Sequence, residues 1–353
     1  MGLRRIGASL LVLAATATLT GCGGDGEGGG DGGPVVGVDY PRSDTDFWNS
    51  YINYAPRYGG ELGLELKTTN SQNDVAMLTS NVQSFISQGV KGVVMAPQDT
   101  AAIAPALQQL ASKKIPVVSV DTRPESGDVY MVVRADNRAY GQKACQFLGT
   151  KLGGQGKVVM LQGDLASING RDRTEAFNDC MKKDFPKIRV FGEATNWDAN
   201  VASQKLQTDL TAHPDIKGVY MQSSFALPGT LQILRQRGLL VPPDDAKHVF
   251  VVSNDGIPEE LKNIAQGNID ATVSQPADLY AKWALQYVKD AIAGTKHSAG
   301  PTDHGSTIVE VRPGVLEDQL GAPLVTLDGA KVGDVPTVKY DDKSLWGNTA
   351  DGN

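Results

Sequence analysis

The segment KGVVMAPQDTAAIAPALQQLASKKIPVVSVD, Lys91 to Asp121, decides the fold class. It opens and closes on short β-branched runs, GVVM and PVVSV, with a longer amphipathic stretch between them. That is the rhythm of a βαβ unit, which predicts parallel strands in a sheet covered by helices on both faces.

Working outward, the same rhythm extends both ways. Upstream lie VVGVDY, a helix reaching Arg57, GLELKTTN and the helix DVAMLTSNVQSFISQG. Downstream the pattern starts afresh with NRAYGQKACQFLGTKL, KVVMLQGD, GRDRTEAFNDCMKKD, IRVFGEAT, ANVASQKLQTDLTAH, GVYMQSS, HVFVVSND, PEELKNIAQG and IDATVSQ. Two similar α/β units in tandem are therefore expected, and the length suits two domains better than one core. The helix DLYAKWALQYVKDAIAG and the strand-like STIVEVRPGV follow. The expected lobes are 34–133 with 276–305, and 134–275 with 306–345. Crossings near Val133, Gln275 and Gly305 would make a hinge.

The segment before Pro34 reads differently. Arg4 and Arg5 precede an apolar run from Ala8 to Leu19, which is too short to span a bilayer comfortably, so residues 1–21 read as a signal peptide. Leu19-Thr20-Gly21-Cys22 resembles the lipobox of bacterial lipoproteins, with Cys22 as the lipidated first mature residue. Residues 22–33 then form a Gly-rich tether unable to build a core. An extracytoplasmic body held at the membrane by that lipid is expected.

The formal net charge is −7, and loss of the leader removes Arg4 and Arg5 without removing an acid. No basic cluster or finger spacing offsets this, which argues against nucleic acid as a partner. Cys145 and Cys180 remain once Cys22 is used. In an oxidising compartment they suggest one disulfide, but two buried small side chains that never meet fit the sequence as well.

In VVGVDYPRSDTDFWNSYINY, Val35 to Tyr54, a buried strand runs straight into Arg42, Asp44, Asp46, Phe47 and Trp48. Trp48, Tyr51 and Tyr54 would share a packing face of a helix. The loop is also where α/β proteins bind ligands, at the carboxyl end of a parallel strand.

The order of DFWNSY, GVVMAPQDTAAIAPAL, IPVVSVDTR, ADNRAYGQKA, LQGDLASINGRDRTEAF, LTAHPDIKGVYMQS, VVSNDG and DATVSQP resembles the periplasmic sugar-binding proteins of the ribose-binding type, the receptors of ABC importers, across 34–315. The resemblance implies two Rossmann-like lobes with parallel sheets flanked by helices, a hinge of several crossings, and a sugar held between the lobes. It implies that Phe47 and Trp48 are the paired aromatics of the first lobe, beside Asp44, Thr45 and Asp46, although the amide often found near Thr45 is missing. Asp121 matches the ligand carboxylate, with the usual neighbouring arginine displaced to Arg123. In the second lobe Arg171 matches the ligand arginine, Arg173 is expected to point elsewhere into an ion pair, and Trp197 to stack. Ser223-Ser224 replaces an Asn-Asp pair, Asn254 replaces an aromatic beside Asp255, and Gln275 keeps the hinge amide. The lactose-repressor relatives carry a helix-turn-helix where this chain has its leader-like segment.

Such a cleft would pair every buried hydroxyl of a sugar, since an unmet one costs about 1–3 kcal/mol. The four histidines, His213, His248, His297 and His304, lack metal-binding spacing, and no GxSxG or P-loop occurs, so no enzyme, metal or cofactor is expected. The expected partners are a monosaccharide or polyol and an ABC permease, with the protein itself a monomer. The same site would also serve a receptor presenting its closed form to a membrane signalling protein.

Overall fold

The computed structural model describes residues 32–349, so the expected signal peptide, Cys22 and nearly all of the expected tether lie outside the described residues. The first sheet contains β1 (Val35–Tyr40), β2 (Glu65–Asn70), β3 (Gly92–Met95), β4 (Val117–Val120) and β5 (Met131–Ala135), all parallel, in the order β5-β4-β3-β1-β2. Helices α1 (Asp46–Glu61), α2 (Val75–Ser87) and α3 (Ala104–Ser112) connect the first four strands. Strands β3, β4 and β5 are buried along their whole length, as expected of a sheet covered on both faces.

The second unit repeats this scheme. Helix α4 (Asn137–Lys151) leads to β6 (Gln155–Gln162), α5 (Ile168–Asp184), β7 (Lys187–Ala194), α6 (Ala199–Ala212), β8 (Gly218–Met221), α7 (Leu227–Gln236), β9 (Phe250–Asp255), α8 (Pro258–Ala265) and β10 (Ala271–Ser274). The strands are parallel in the order β10-β9-β8-β6-β7. Cys145 of α4 and Cys180 of α5 are joined by a disulfide, with their Cα atoms 6.2 Å apart. Closing a loop of 35 residues stabilises the fold by roughly 3–4 kcal/mol if chain entropy dominates.

Helix α9 (Ala277–Ala293) returns to the first lobe and packs on α1, β3, β4 and β5. The chain after it departs from expectation. Strands β11 (Gly300–Pro301), β12 (Thr307–Arg312) and β13 (Val315–Leu320) extend the first sheet, β13 running parallel to β5. Only β14 (Leu324–Thr326) and β15 (Thr337–Lys339) join the second sheet, through β10. Assigning all of 306–345 to the second lobe is thus corrected: 306–320 belongs to the first. The third crossing lies at Gly321–Pro323 rather than Gly305, beside crossings at Asp136 and at Gln275-Pro276. The cause is electrostatic as well as geometric. Arg134 of β5 is buried, and Glu317 of β13 lies 3.8 Å from it and 2.9 Å from Arg123, so seating β13 beside β5 supplies the charge that Arg134 needs.

In each sheet the strand order reverses at one point, between β1 and β3 and between β6 and β8. Crevices for ligands form outside the carboxyl ends of strands at such points. The helix caps stand in these same loops. Thr45 accepts from the Trp48 amide, Ser167 from the Asn169 amide, and Asp198 from the amides of Asn200 and Val201.

Candidate ligand-binding cleft

The two sets of strand ends face each other across a narrow cleft. From the first lobe come Arg42, Thr45, Phe47 and Trp48 after β1, Gln98 after β3 and Asp121 after β4. From the second come Asn169 and Arg173 on α5, Trp197 after β7, Ser223 and Phe225 after β8, and Gln275 after β10. The space among these side chains is about 30 Å³, room for a water but not for a sugar ring, and at Arg42, Thr45, Trp197 and Phe225 it adjoins an outer mouth of about 440 Å³.

Asp121 is buried and held at φ 63°, a backbone conformation that side-chain-bearing residues seldom adopt. Its Oδ2 accepts from Asn169 Nδ2 at 2.8 Å across the cleft, while its buried Oδ1 has no hydrogen-bond partner. Burial pushes its carboxyl up to about 6, against the pull of Arg173 and Arg134. Arg173 is buried too. Its Nε donates to Asn137 Oδ1 at 2.6 Å, its Nη1 to the Gln222 carbonyl, and its Nη2 to Gln275 Oε1 at 3.5 Å. Its guanidinium lies over the rings of Tyr140, at 4.9 Å, and Trp197, at 5.6 Å.

The aromatic walls are packed edge to face. Phe47 meets Trp48 at 5.3 Å between centroids, and Trp197 meets Phe225 at 5.8 Å. Trp197 itself stands at φ 59°. Its ring fits because residue 163 is glycine: a Cβ there would come within 2.0 Å of the indole.

Beneath the cleft floor lies Asp255, fully buried. Its Oδ2 accepts from Ser223 Oγ at 2.6 Å, the Ser224 amide at 2.8 Å and Ser224 Oγ at 2.6 Å, and its Oδ1 from Gln275 Nε2 at 2.6 Å. Burial raises its pKa, and Arg173 and the donors of Ser223 and Ser224 oppose the rise. Four donors fill its acceptor sites, so Asp255 orients Ser223 and Gln275 rather than facing the cleft.

The structure therefore brings together Phe47, Trp48, Asp121, Trp197, Ser223 and Gln275 of the residues singled out in the sequence. Asp46 sits on the exposed outer mouth, and Asn254 points away, donating to Tyr220 Oη and the Gln222 carbonyl at 3.0 Å each. The two arginines exchange places relative to expectation. Arg171 leaves the cleft for the rim, where it bonds the Leu165 and Ala166 carbonyls, Thr100 and Glu125, while Arg173 enters it. The reason is helical geometry: two positions apart on α5, the side chains diverge by about 200°. Arg123 is held by Glu317. Arg42 belongs to the charged loop singled out after the first strand, whereas Asn169, Gln98 and Phe225 were not foreseen.

A profile described as the periplasmic binding protein domain matches residues 36–296. The chain belongs to the periplasmic binding protein family. Within it the likeness is to the ribose type: the chain is 27% identical to the ribose import binding protein of Bacillus subtilis over 262 residues, 74% of this chain and 82% of the relative. It is also 27% identical to the xylitol-binding protein of Mycolicibacterium smegmatis over 265 residues, 74% and 72% of the two chains. An ABC transporter solute-binding protein from Mycobacterium smegmatis, solved with bound glycerol, superposes with a TM-score of 0.70 at 27% identity, covering 76% of this chain and 91% of that one. A Burkholderia graminis solute-binding protein at 20% identity and TM-score 0.74 shares the fold. All four are binding proteins rather than enzymes, the ribose relative an import protein and the two solved structures ABC transporter components.

Proposed function

We propose that the protein is an extracytoplasmic solute-binding lipoprotein that captures a monosaccharide or related polyol between its lobes and delivers it to an ABC importer. The carrying observation is the pairing, in one cleft, of aromatic walls with a buried carboxylate whose bonding is incomplete. Phe47, Trp48 and Trp197 suit the apolar C–H faces of a sugar, and Asp121 Oδ1, without a partner, suits a hydroxyl donor. Arg173, Asn169, Ser223 and Gln275 supply further polar contacts, of which those to charged groups contribute roughly 1.5–3 kcal/mol each. Lipid on Cys22 and the Gly-rich segment after it would keep this receptor at the membrane near a permease.

A thermal-shift screen over monosaccharides and polyols tests the reading. A cognate ligand at about 100 times its dissociation constant adds roughly 2.7 kcal/mol of stability. A flat response across D-ribose, D-allose, L-arabinose, D-fructose, xylitol and glycerol would count against it. Mass spectrometry of membrane-fraction protein tests the anchor, through a diacylglyceryl mass on a peptide beginning at Cys22.

A further inference from the structure

The chain beyond residue 296, outside the region that the family profile matches, sends one side chain back against Phe47, a wall residue of the binding cleft. Trp346 stands in the 3-10 turn Trp346–Asn348 and is almost fully buried. Its Nε1 donates to the backbone carbonyl of Asp255 at 3.0 Å. Its ring meets that of Phe47 edge to face, with centroids 6.0 Å apart and planes at 80°.

These two contacts belong to different lobes. Phe47 opens α1 of the first, and Asp255 closes β9 of the second. The tail itself is fixed to the second lobe: Leu345 is buried in that lobe's core, and Asn348 Nδ2 donates to the carbonyls of Tyr340 and Asp342 at 2.8 Å each. Gly347 presses so closely on the turn after β9 that a Cβ would lie 2.2 Å from the Gly256 carbonyl oxygen. The contact of Trp346 with Phe47 therefore spans the lobes. Phe47 lines the cleft on one side and touches Trp346 and Tyr280 on others, while Trp346 does not line the cleft. Asp255, for its part, holds φ at 123°, and its carboxylate holds Ser223 and Gln275. The Trp346 bond secures the backbone of a residue whose conformation an ordinary side chain resists.

We infer that Trp346 is a positioning residue for ligand capture: from the tail, it sets the angle of the Phe47 ring and the backbone of Asp255 together, so that both jaws are in register when the lobes meet. The inference rests on the sugar-capture reading above and adds to it a residue that never touches the ligand.

The test uses the full-length protein and the tightest binder among D-ribose, D-allose, L-arabinose, D-fructose, xylitol and glycerol. Titration calorimetry is run on wild type, Trp346→Ala and Trp346→Phe, with thermal melting of each unliganded protein. Trp346→Phe keeps an aromatic body against Phe47 and loses the donor to Asp255, so it guards against a variant that merely fails to fold. The expected result is a dissociation constant raised tenfold or more in Trp346→Ala and at least threefold in Trp346→Phe, through faster dissociation. In 5-fluorotryptophan-labelled wild type, the fluorine resonance that disappears in Trp346→Phe should shift on saturation with the sugar. A purely structural tail gives a lower melting temperature with the dissociation constant within twofold of wild type and an unmoved resonance, and that overturns the inference. Absence of binding heat from every sugar on the wild type overturns the capture reading, and this inference with it; wild-type binding with unaltered variants overturns this inference alone.

Discussion

Arg173 brings a buried positive charge to the lining of the cleft. It is buried, it reaches three carbonyl oxygens, and Asp121 and Asp255 both feel its charge. Arg173→Ala is expected to weaken sugar binding by about 1.5–3 kcal/mol or more, because the bonds lost are charge-assisted and desolvated. Arg171→Ala should cost only about 0–1 kcal/mol, since its pair with Glu125 is partly open to solvent. Calorimetry with one sugar on both variants decides it, and an equal or greater loss at Arg171 would sink the assignment. The distinction was legible in the sequence by counting back along α5. Phe177, Arg173 and Asn169 are spaced by four and share its buried face, whereas Arg171 falls off it. Matching a motif by its first arginine lost that information. Gln98 had no such signal, because an amide at a strand end is ordinarily a cap or turn residue.

At the scale of elements, the strands and helices of both parallel sheets were legible because a doubly covered sheet demands continuous apolar runs separated by amphipathic helices. The hairpin β12-β13 was not placed correctly. Ile308 is the one buried residue of β12, β13 buries Glu317 and Asp318 side by side, and what places the hairpin is the distant pairing of Glu317 with Arg134 and Arg123. Helix α8 shows a second feature invisible in sequence. Glu260 lies in its first turn, fully buried, with Oε2 accepting from the amides of Gly256, at 2.6 Å, and Ile257, at 3.2 Å, and from Thr272 Oγ1 at 2.9 Å. Burial, and then the neighbouring charge of Asp255, push its carboxyl up to about 8. The folded chain thus keeps a proton that an unfolded Glu releases near 4.5, so this contribution to stability is full below that pH and is lost as pH rises toward 8. Melting temperature should fall between pH 5 and pH 8, and Glu260→Gln should flatten that slope. An unchanged slope in differential scanning calorimetry of the variant would mean that other groups govern it.

The whole molecule is a pair of lobes tied by three crossings, and a set of bonds spans the gap: Asp121 with Asn169, Arg42 Nη1 with the Trp197 carbonyl at 3.3 Å, and Arg171 with Glu125 and Thr100. With only about 30 Å³ of space beside Asp121 and Arg173, a pyranose or furanose ring reaches them only if these bonds part, so capture there requires an opening motion, and three parallel tethers restrict it to a hinge. The open and closed forms of such a hinge differ by a few kcal/mol, within reach of one ligand's differential affinity. Small-angle scattering should therefore give a larger radius of gyration for unliganded protein, contracting toward the roughly 20 Å expected of a compact body of this length when sugar saturates it. Arg171→Ala should leave the liganded radius unchanged and shift the sugar concentration of half-contraction upward, since it removes a rim bond made only on closure. Were the radius the same with and without saturating sugar, the cleft would have to fill by side-chain movement alone, and the rim pair would be a surface ion pair with no share in capture.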